Sequence, residues 1–324
     1  MYKIIIIGAG QLGSRHLQAI AKSNIKISIE VVEPHMSSRV VAKERFEEIP
    51  NSSNVKNIRF LESIKELSDI LDIVVVATNA DVRSDVLKEL LTTKKVKNLI
   101  LEKVLFQTEK EYFDIEILLK NTNTKCWVNH PRRMFPFYKK LKNKLKNSES
   151  INFSVSGGNW GLACNGLHFL DLFECLSNNS NTIIDNKYLD NKVLETKRKG
   201  FIELSGKLIG SIETSLFEIN NFINQSPVQF SITSDKLNIL IDETNGWYKI
   251  SEKLSEWKSE IKEEKIIYFQ SELTNILLED ILLKNSCVLP TYSESMNLHL
   301  KFIKSLLEHI NSFSEVKTNR LQIT

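Results

Sequence analysis

At 324 residues, with 42% apolar and 26% charged side chains, the chain is long enough for two domains and a sizeable core, and its composition is that of a folded soluble protein. The net charge of +3 is scattered, which argues against a nucleic-acid partner; the densest basic run, residues 139–146, reads as the solvated face of a helix, with a polyanion site as the lesser alternative. Cys126, Cys164, Cys175 and Cys287 show no C-x-x-C spacing, which argues against a disulfide framework or zinc cluster and favours reduced thiols in the cytoplasm. The sequence opens on strand-like residues, so no signal peptide is expected, and no apolar run approaches the ~20 residues that span a bilayer.

The first element is an unbroken apolar strand over residues 4–7, ending at Gly8-Ala9-Gly10, with Gln11-Leu12-Gly13 opening an amphipathic helix over 11–22. Gly8, Gly10 and Gly13 make the G-x-G-x-x-G spacing: a tight turn, a backbone that lets a pyrophosphate approach, and close helix–strand packing. The spacing alone is also that of any glycine-rich turn. Here a strand precedes it, a helix follows, and Glu33 ends a second strand over 27–32, about twenty residues beyond the last glycine. A carboxylate there accepts from the adenosine ribose hydroxyls and repels a 2′-phosphate, which favours NAD over NADP. Ser37, Ser38 and Arg39, just beyond, are the groups that could hold a 2′-phosphate instead.

A polar helix is expected over 37–46, a loop over 50–57, a short strand over 58–61 and a short helix over 64–71. A buried strand over 72–77 leads to Thr78-Asn79-Ala80, expected to cap a helix over 81–91. Another buried strand over 98–101 ends at Glu102-Lys103; a helix over 109–119 and a strand over 125–128 complete an alternating pattern, which predicts a doubly wound parallel sheet. Ligands of such sheets bind beyond the carboxyl ends of the strands, so Gly8, Thr78, Glu102 and Asn129 should line one crevice. A cofactor domain over 1–125 and a second domain over 126–324 follow from this reading.

The second half reads as α+β. Helices are expected over 135–145 and 165–176, and a strand over 151–156. Strands over 201–204 and 208–216 would form a hairpin around Ser205-Gly206. Further strands at 229–233, 237–241 and 247–250, the last after Asn245-Gly246, give a mostly antiparallel open sheet. Helices over 271–283 and 292–312 close the chain.

Lys103, at the end of a buried strand beside the expected nicotinamide crevice, suits proton transfer, since desolvation there lowers an ammonium pKa; a lysine that merely reaches out of a strand end is an equal alternative. His168 and Asp171, at i and i+3, share a helix face, so Asp171 can fix the imidazole tautomer of a histidine acid/base; an ordinary half-buried helix histidine is the competing reading. Cys164 and His168 share that face too, but two further metal ligands are missing and no metal is expected. Arg132 and Arg133, leaving the last strand of the cofactor half, could clamp a carboxylate or phosphate of a substrate, or be ordinary surface arginines.

Taken together, these residues resemble the glucose–fructose oxidoreductase/inositol dehydrogenase family, Gfo/Idh/MocA, along nearly the whole chain. The resemblance rests on Gly8 to Gly13 with Glu33-Pro34, on Val74-Val75-Val76-Ala77-Thr78-Asn79, and on Leu101-Glu102-Lys103-Val104-Leu105 as the family's Glu-Lys-Pro segment. Gly166-Leu167-His168-Phe169-Leu170-Asp171 is similar to its Gly-x-His-x-x-Asp helix, and Leu289-Pro290-Thr291 before a helix with His299 to the approach to its last helix. The resemblance implies a proton-transfer role for Lys103 and carries the helix histidine to His168. Three departures stand out: Val104 replaces the proline after the lysine, Cys164 replaces a carboxylate two residues before the helix glycine, with Asn165 next, and Arg83 replaces a histidine frequent after the fourth strand.

The expected function is a nicotinamide oxidoreductase acting on a sugar, polyol or activated or acidic sugar of the kind used in surface-glycan synthesis; that substrate class is suggested by Arg132 and Arg133 and by the resemblance of the stretch Gly158-Asn159-Trp160-Gly161 to oxidoreductases of such pathways. Lys103, His168 and Asp171 are the candidate catalytic residues. Gly8, Gly10, Gln11, Leu12, Gly13, Glu33, Arg39, Thr78, Asn79, Glu102 and Lys103 are expected around the cofactor. Lys103, Arg132, Arg133, Asn159, Trp160, Cys164, Asn165 and His168 are expected around the substrate. Alternatives of other classes are a redox-neutral epimerase or lyase that retains NAD, and a non-catalytic NAD-binding sensor or scaffold. A homodimer or homotetramer through the second domain's sheet is expected, because Ile202, Leu204, Ile212 and Ile239 should not all face one side.

Overall fold

The computed structural model describes residues 1–50, 53–196 and 198–324. They form two compact units, neither of them one continuous stretch: Met1–Pro131 with Tyr268–Ser295, and Arg132–Ile267 with Met296–Thr324. The sequence reading has a single boundary after residue 125, whereas the chain changes unit after Pro131, Ile267 and Ser295.

The first unit alternates strands and helices: β1 Tyr2–Ile7, α1 Gln11–Ala21, β2 Ile27–Val32, α2 Met36–Glu47, β3 Val55–Leu61, β4 Ile70–Val76, α3 Ala80–Thr93, β5 Lys95–Leu101, α4 Glu109–Thr122 and β6 Lys125–Val128. All pairings are parallel, in the order β3-β2-β1-β4-β5-β6. Chain order reverses between β1 and β4, so the Gly8 and Thr78 turns stand side by side at the switch point, where doubly wound sheets bind ligands. Ile4, Ile5, Ile6, Val74, Val75 and Val76 are wholly buried, as a sheet covered on both faces requires; each such side chain contributes about 1.5–3 kcal/mol.

The expected helix over 64–71 is a single 3-10 turn at Ile64–Glu66, and β4 has already begun at Ile70. The apolar spacing of Ile64, Leu67 and Leu71 is helical, but the buried Glu30 carboxylate accepts from the Ser68 backbone N–H and hydroxyl, both at 3.0 Å, and draws the chain out of the helix. The expected loop over 50–57 gives way to β3 at Val55; its residues 51 and 52 lie outside the described residues.

The second unit contains α5 Pro136–Leu145, β7 Ile151–Gly158, α6 Leu162–Ser177, β8 Ile183–Glu195, β9 Ile202–Ile212, β10 Ser215–Phe222, β11 Ser226–Ser234, β12 Leu237–Asp242, β13 Trp247–Glu252 and β14 Ser259–Glu263. The helix α7 Thr274–Lys284 belongs to the first unit, and α8 Tyr292–Phe313 belongs to the second from Met296 onward. The sheet order is β14-β13-β12-β11-β7-β10-β9-β8, antiparallel except for the parallel β7–β10 pair. The helix α6 lies on one face, and an aromatic layer of Phe153, Phe169, Phe173, Phe217 and Phe230 fills the gap, with ring centroids 5.4–6.0 Å apart. Among the described residues, no helix is long and apolar enough to cross a membrane.

Three expectations change here. The hairpin around Ser205-Gly206 does not exist: β9 runs through it, and the chain turns at Glu213-Thr214 instead, with Glu213 at φ +51°. Gly206 is a glycine because β8 approaches it; a Cβ there would stand 2.6 Å from the Asp190 backbone nitrogen, at a φ of +99°. The strands β8 and β14, missed in the sequence, are the two sheet edges, where charged residues such as Asp185, Lys187, Glu260 and Lys262 replace an apolar alternation. Finally, Leu204, Ile212 and Ile239 are all buried and Ile202 is half-buried. Even-numbered positions of β9 share one face, and Ile239 pairs with the buried Ile232. The opposite face instead exposes Leu216, Phe222, Ile183 and Tyr188, each more than half accessible.

Candidate functional site

The glycine-rich turn is built as its spacing predicts. Gly8 has φ +85°, a conformation that side chains rarely adopt, and a Cβ on Gly13 would fall 1.8 Å from the Gly8 carbonyl oxygen. Gly10, at the start of α1, has nothing within 4 Å of a would-be Cβ, so the backbone lies open. No side chain caps this first turn, and Gln11 and Leu12 are exposed. Uncapped N–H groups and the helix dipole suit that turn to cradling a phosphate. Arg45 of α2 donates to the Gln11 side-chain oxygen (2.8 Å) and the Ser14 hydroxyl (2.6 Å), fixing the cradle's edge.

The buried Glu33 carboxylate accepts the Ala9 N–H at 2.8 Å and the His35 N–H at 3.0 Å, which aims it at the glycine turn. Each oxygen retains acceptor capacity for a ribose hydroxyl. Arg39 donates to the Glu33 and Pro34 carbonyls (2.7 and 3.0 Å) and to the Glu62 carboxylate (2.6 Å), so its charge is already matched.

Beyond β4, Asn79 occupies the N-cap position of α3 without a side-chain capping bond, and the buried Thr78 hydroxyl has no partner among the described residues. The Asn129 side-chain oxygen beyond β6 is orphaned in the same way. Two orphaned acceptor groups beyond strand ends, beside an open glycine cradle, fit a pyridine nucleotide. Gly8 to Gly13 would hold its pyrophosphate, Glu33 the adenosine ribose, and Thr78 and Asn129 the nicotinamide half.

At the end of β5, Glu102 is turned inward, 4% exposed. It accepts from His16 Nε2 (2.9 Å) and from Asn129 Nδ2 (2.6 Å). Burial pushes this carboxyl up, but the His16 hydrogen bond and charge, the Asn129 amide and the Lys103 ammonium more than offset it, so its pKa is below the ordinary carboxylate value. Lys103 itself is half-buried, and the Lys103–Val104 peptide is cis. Arg83, 1% exposed, donates to the carbonyls of Thr78, Glu102, Val104 and Leu105. Desolvation lowers its pKa to about 10. The two departures Arg83 and Val104 thus touch one another.

In the second unit, α6 presents Cys164, Asn165 and His168 as half-accessible side chains along one face. Asn165 donates to the Trp160 carbonyl (2.8 Å), and Trp160 is held by Asn220 and Asn221 (2.9 and 3.1 Å) and packs edge-on to Phe169. Asn159 is at φ +54° in the turn before them. Asp171, expected to orient His168, takes a fork from Arg133, with Nε at 3.1 and 3.0 Å and Nη2 at 2.9 Å. Arg132 is bidentate to Glu243 (2.8 and 2.6 Å) and lies 4.4 Å over the Phe169 ring. Burial opposes the Arg132 charge; Glu243 more than restores it. Both arginines therefore carry an internal carboxylate partner.

The sequence reading misses Glu203. From β9 its buried carboxylate accepts the N–H groups of Ala163, Cys164 (3.2 Å) and Leu204 (2.9 Å), capping α6 where Cys164 stands. Burial pushes its pKa up, partly offset by these bonds. An acid is thus present beside Cys164, supplied from another element. A glutamate between Ile202 and Leu204 was its one signal. His16, Asn129 and Glu243 were likewise missed as partners.

Residues 2–130 match the family model described as an oxidoreductase family with an NAD-binding Rossmann fold, Gfo/Idh/MocA. No curated protein sequence matches the chain. Solved structures resemble it over its length. An oxidoreductase from Agrobacterium radiobacter in complex with NAD+, L-tartaric acid and magnesium has TM-score 0.71 and 12% identity, covering 97% of each chain. The UDP-N-acetylglucosamine 3-dehydrogenase GnnA from Acidithiobacillus ferrooxidans has TM-score 0.70 and 12% identity, covering 96% of this chain and 98% of that one. A super-repressor mutant of Gal80p from Saccharomyces cerevisiae has TM-score 0.76 and 14% identity, covering 98% and 97%. Residues 2–130 thus match the NAD-binding Rossmann-fold model of the Gfo/Idh/MocA oxidoreductases, and the chain shares the two-sheet fold of these solved structures over nearly its whole length.

Proposed function

We propose that this protein is a dehydrogenase or reductase for the carbinol or ketone of a sugar-like substrate, with NAD preferred over NADP. The observation that carries the reading is Lys103, set just beyond the end of the buried parallel strand β5, beside an ionised, buried Glu102, at the strand ends that carry the orphaned Thr78 and Asn129 groups. When bound, the nicotinamide accepts or donates hydride; the chain's task is to hold the substrate and move its hydroxyl proton. Lys103 is the first candidate for that proton and His168 the second. An activated or acidic sugar, as in surface-glycan synthesis, is the preferred substrate class, in line with the nucleotide-sugar dehydrogenase that shares the fold. None of the four cysteines is disulfide-bonded, which suits a reducing cytoplasm.

Incubation with NAD or NADP and a panel of sugars, polyols and nucleotide sugars should give turnover with NAD. Titration should show NAD bound at least tenfold more tightly than NADP, about 1.4 kcal/mol, because Glu33 repels a 2′-phosphate. Equal affinities would overturn the cofactor preference. Tight binding without turnover on any substrate would favour the second reading, an NAD-binding sensor. That reading draws on the internal neutralisation of Arg132 and Arg133, which removes the expected substrate clamp, and on the repressor of like fold.

The open face of the second unit's sheet, with Leu216, Phe222, Ile183 and Tyr188 exposed, is our proposed surface for a homodimer or homotetramer. Light scattering at micromolar concentration should give a multiple of the 37.3 kDa chain mass. Phe222→Glu should lower it; a monomeric wild-type mass counts against the proposal.

A further inference from the structure

We propose that Glu102 and His16 act as a buried positioning pair that keeps Lys103 in its ammonium form before proton transfer. The proposal rests on the reading of Lys103 as the proton-transfer group and extends it to residues behind the crevice.

A carboxylate withdrawn from water this far takes up a proton unless donors hold it. Glu102 has two: His16 from α1 and Asn129 from the end of β6. An ionised carboxylate only accepts, so His16 Nε2 carries the hydrogen of that bond. The donors are themselves braced. His16 Nδ1 is 2.9 Å from the Thr274 hydroxyl, and Asn129 Nδ2 also reaches Gln270 at 2.9 Å. Three groups of the first unit can bear positive charge around this carboxylate: His16 on α1, Arg83 on α3, and Lys103 on the strand end itself. Arg83 binds the carbonyl before Lys103 (Glu102, 2.6 Å) and the carbonyl after it (Val104). The backbone on either side of the lysine is therefore pinned by one buried guanidinium.

These charges do not act alike on Lys103. Arg83 alone repels an ammonium and favours the neutral amine. Glu102 reverses that preference, and His16 lets Glu102 remain charged. An opposite charge at such range shifts a pKa by roughly one to three units. The pair thus sets how firmly Lys103 holds the proton it transfers, and His16 stands on the helix whose first turn forms the proposed phosphate cradle.

The test needs no substrate. Competitive labelling of the full-length protein with acetic anhydride over about pH 7 to 11, read lysine by lysine by mass spectrometry, gives the midpoint of each ammonium. Glu102→Gln keeps an acceptor for His16 and Asn129 but removes the charge. It should lower the Lys103 midpoint by about one pH unit or more, with the exposed lysines unmoved. His16→Gln retains an N–H donor and should leave the midpoint near wild type, whereas His16→Leu should lower it as Glu102→Gln does. An unmoved Lys103 midpoint in Glu102→Gln or in His16→Leu overturns the proposal, so either variant suffices if the other does not fold. Turnover by Lys103→Met would instead overturn the proton-transfer reading, a separate outcome.

Discussion

Gly13→Ala should abolish cofactor binding. The added Cβ would lie 1.8 Å from the Gly8 carbonyl oxygen and 2.9 Å from its carbon, both backbone atoms that cannot swing aside. The start of α1 must then move off β1, and the first-turn N–H groups lose their common focus. We expect at least a hundredfold loss of NAD affinity, about 2.8 kcal/mol, with destabilisation of roughly 1–3 kcal/mol from overpacking. Gly10→Ala makes the control. Its Cβ would meet no protein atom within 4 Å, and its φ of −64° suits alanine. The melting temperature should stay near wild type while NAD affinity falls, because only a bound pyrophosphate meets the new methyl. Thermal unfolding and calorimetric titration of both variants check this; a Gly13→Ala protein that binds NAD at wild-type affinity overturns the cradle assignment.

The cradle was legible because its information is local. Gly8, Gly10, Gly13 and Glu33 lie within one strand–helix–strand segment, and each answers to a backbone or charge requirement at a fixed offset. The alternating elements of the first unit were legible for the same reason, since a sheet buried on both faces writes itself as short apolar runs. Edge strands do not: β8 and β14 carry charge where a core strand carries valine, and their partner is known only once the sheet exists. The arginines show the limit most clearly. Arg132 and Arg133 read as an anion clamp, yet their carboxylates, Glu243 and Asp171, lie 111 and 38 positions away. Glu203 meets α6 from 40 positions downstream, and His16 meets Glu102 across 86. Which charges are spent inside the fold is a property of tertiary pairing, and periodicity carries no trace of it.

Lys103→Met should cut kcat by at least about a hundredfold, since general acid–base catalysis is typically worth about 10²- to 10⁴-fold. Methionine keeps much of the half-buried stem's volume, and the carbonyls that Arg83 holds on either side are backbone atoms, so the segment should keep its place. The phosphate cradle and Glu33 lie on other turns, and NAD affinity should change little. A fall in kcat with a preserved NAD dissociation constant is the signature of a group that acts in the reacting state rather than in cofactor binding. His168→Ala should cost less if Lys103 is the principal acid/base, and a similar amount if the two share the proton. Asp171→Asn should cost stability as well, because it leaves the Arg133 guanidinium, 17% exposed, without its carboxylate. Steady-state kinetics on the substrate found by the panel, with calorimetry for NAD, separates these cases. Full turnover by Lys103→Met would show that the proton leaves by another route, and would transfer the first claim on it to His168.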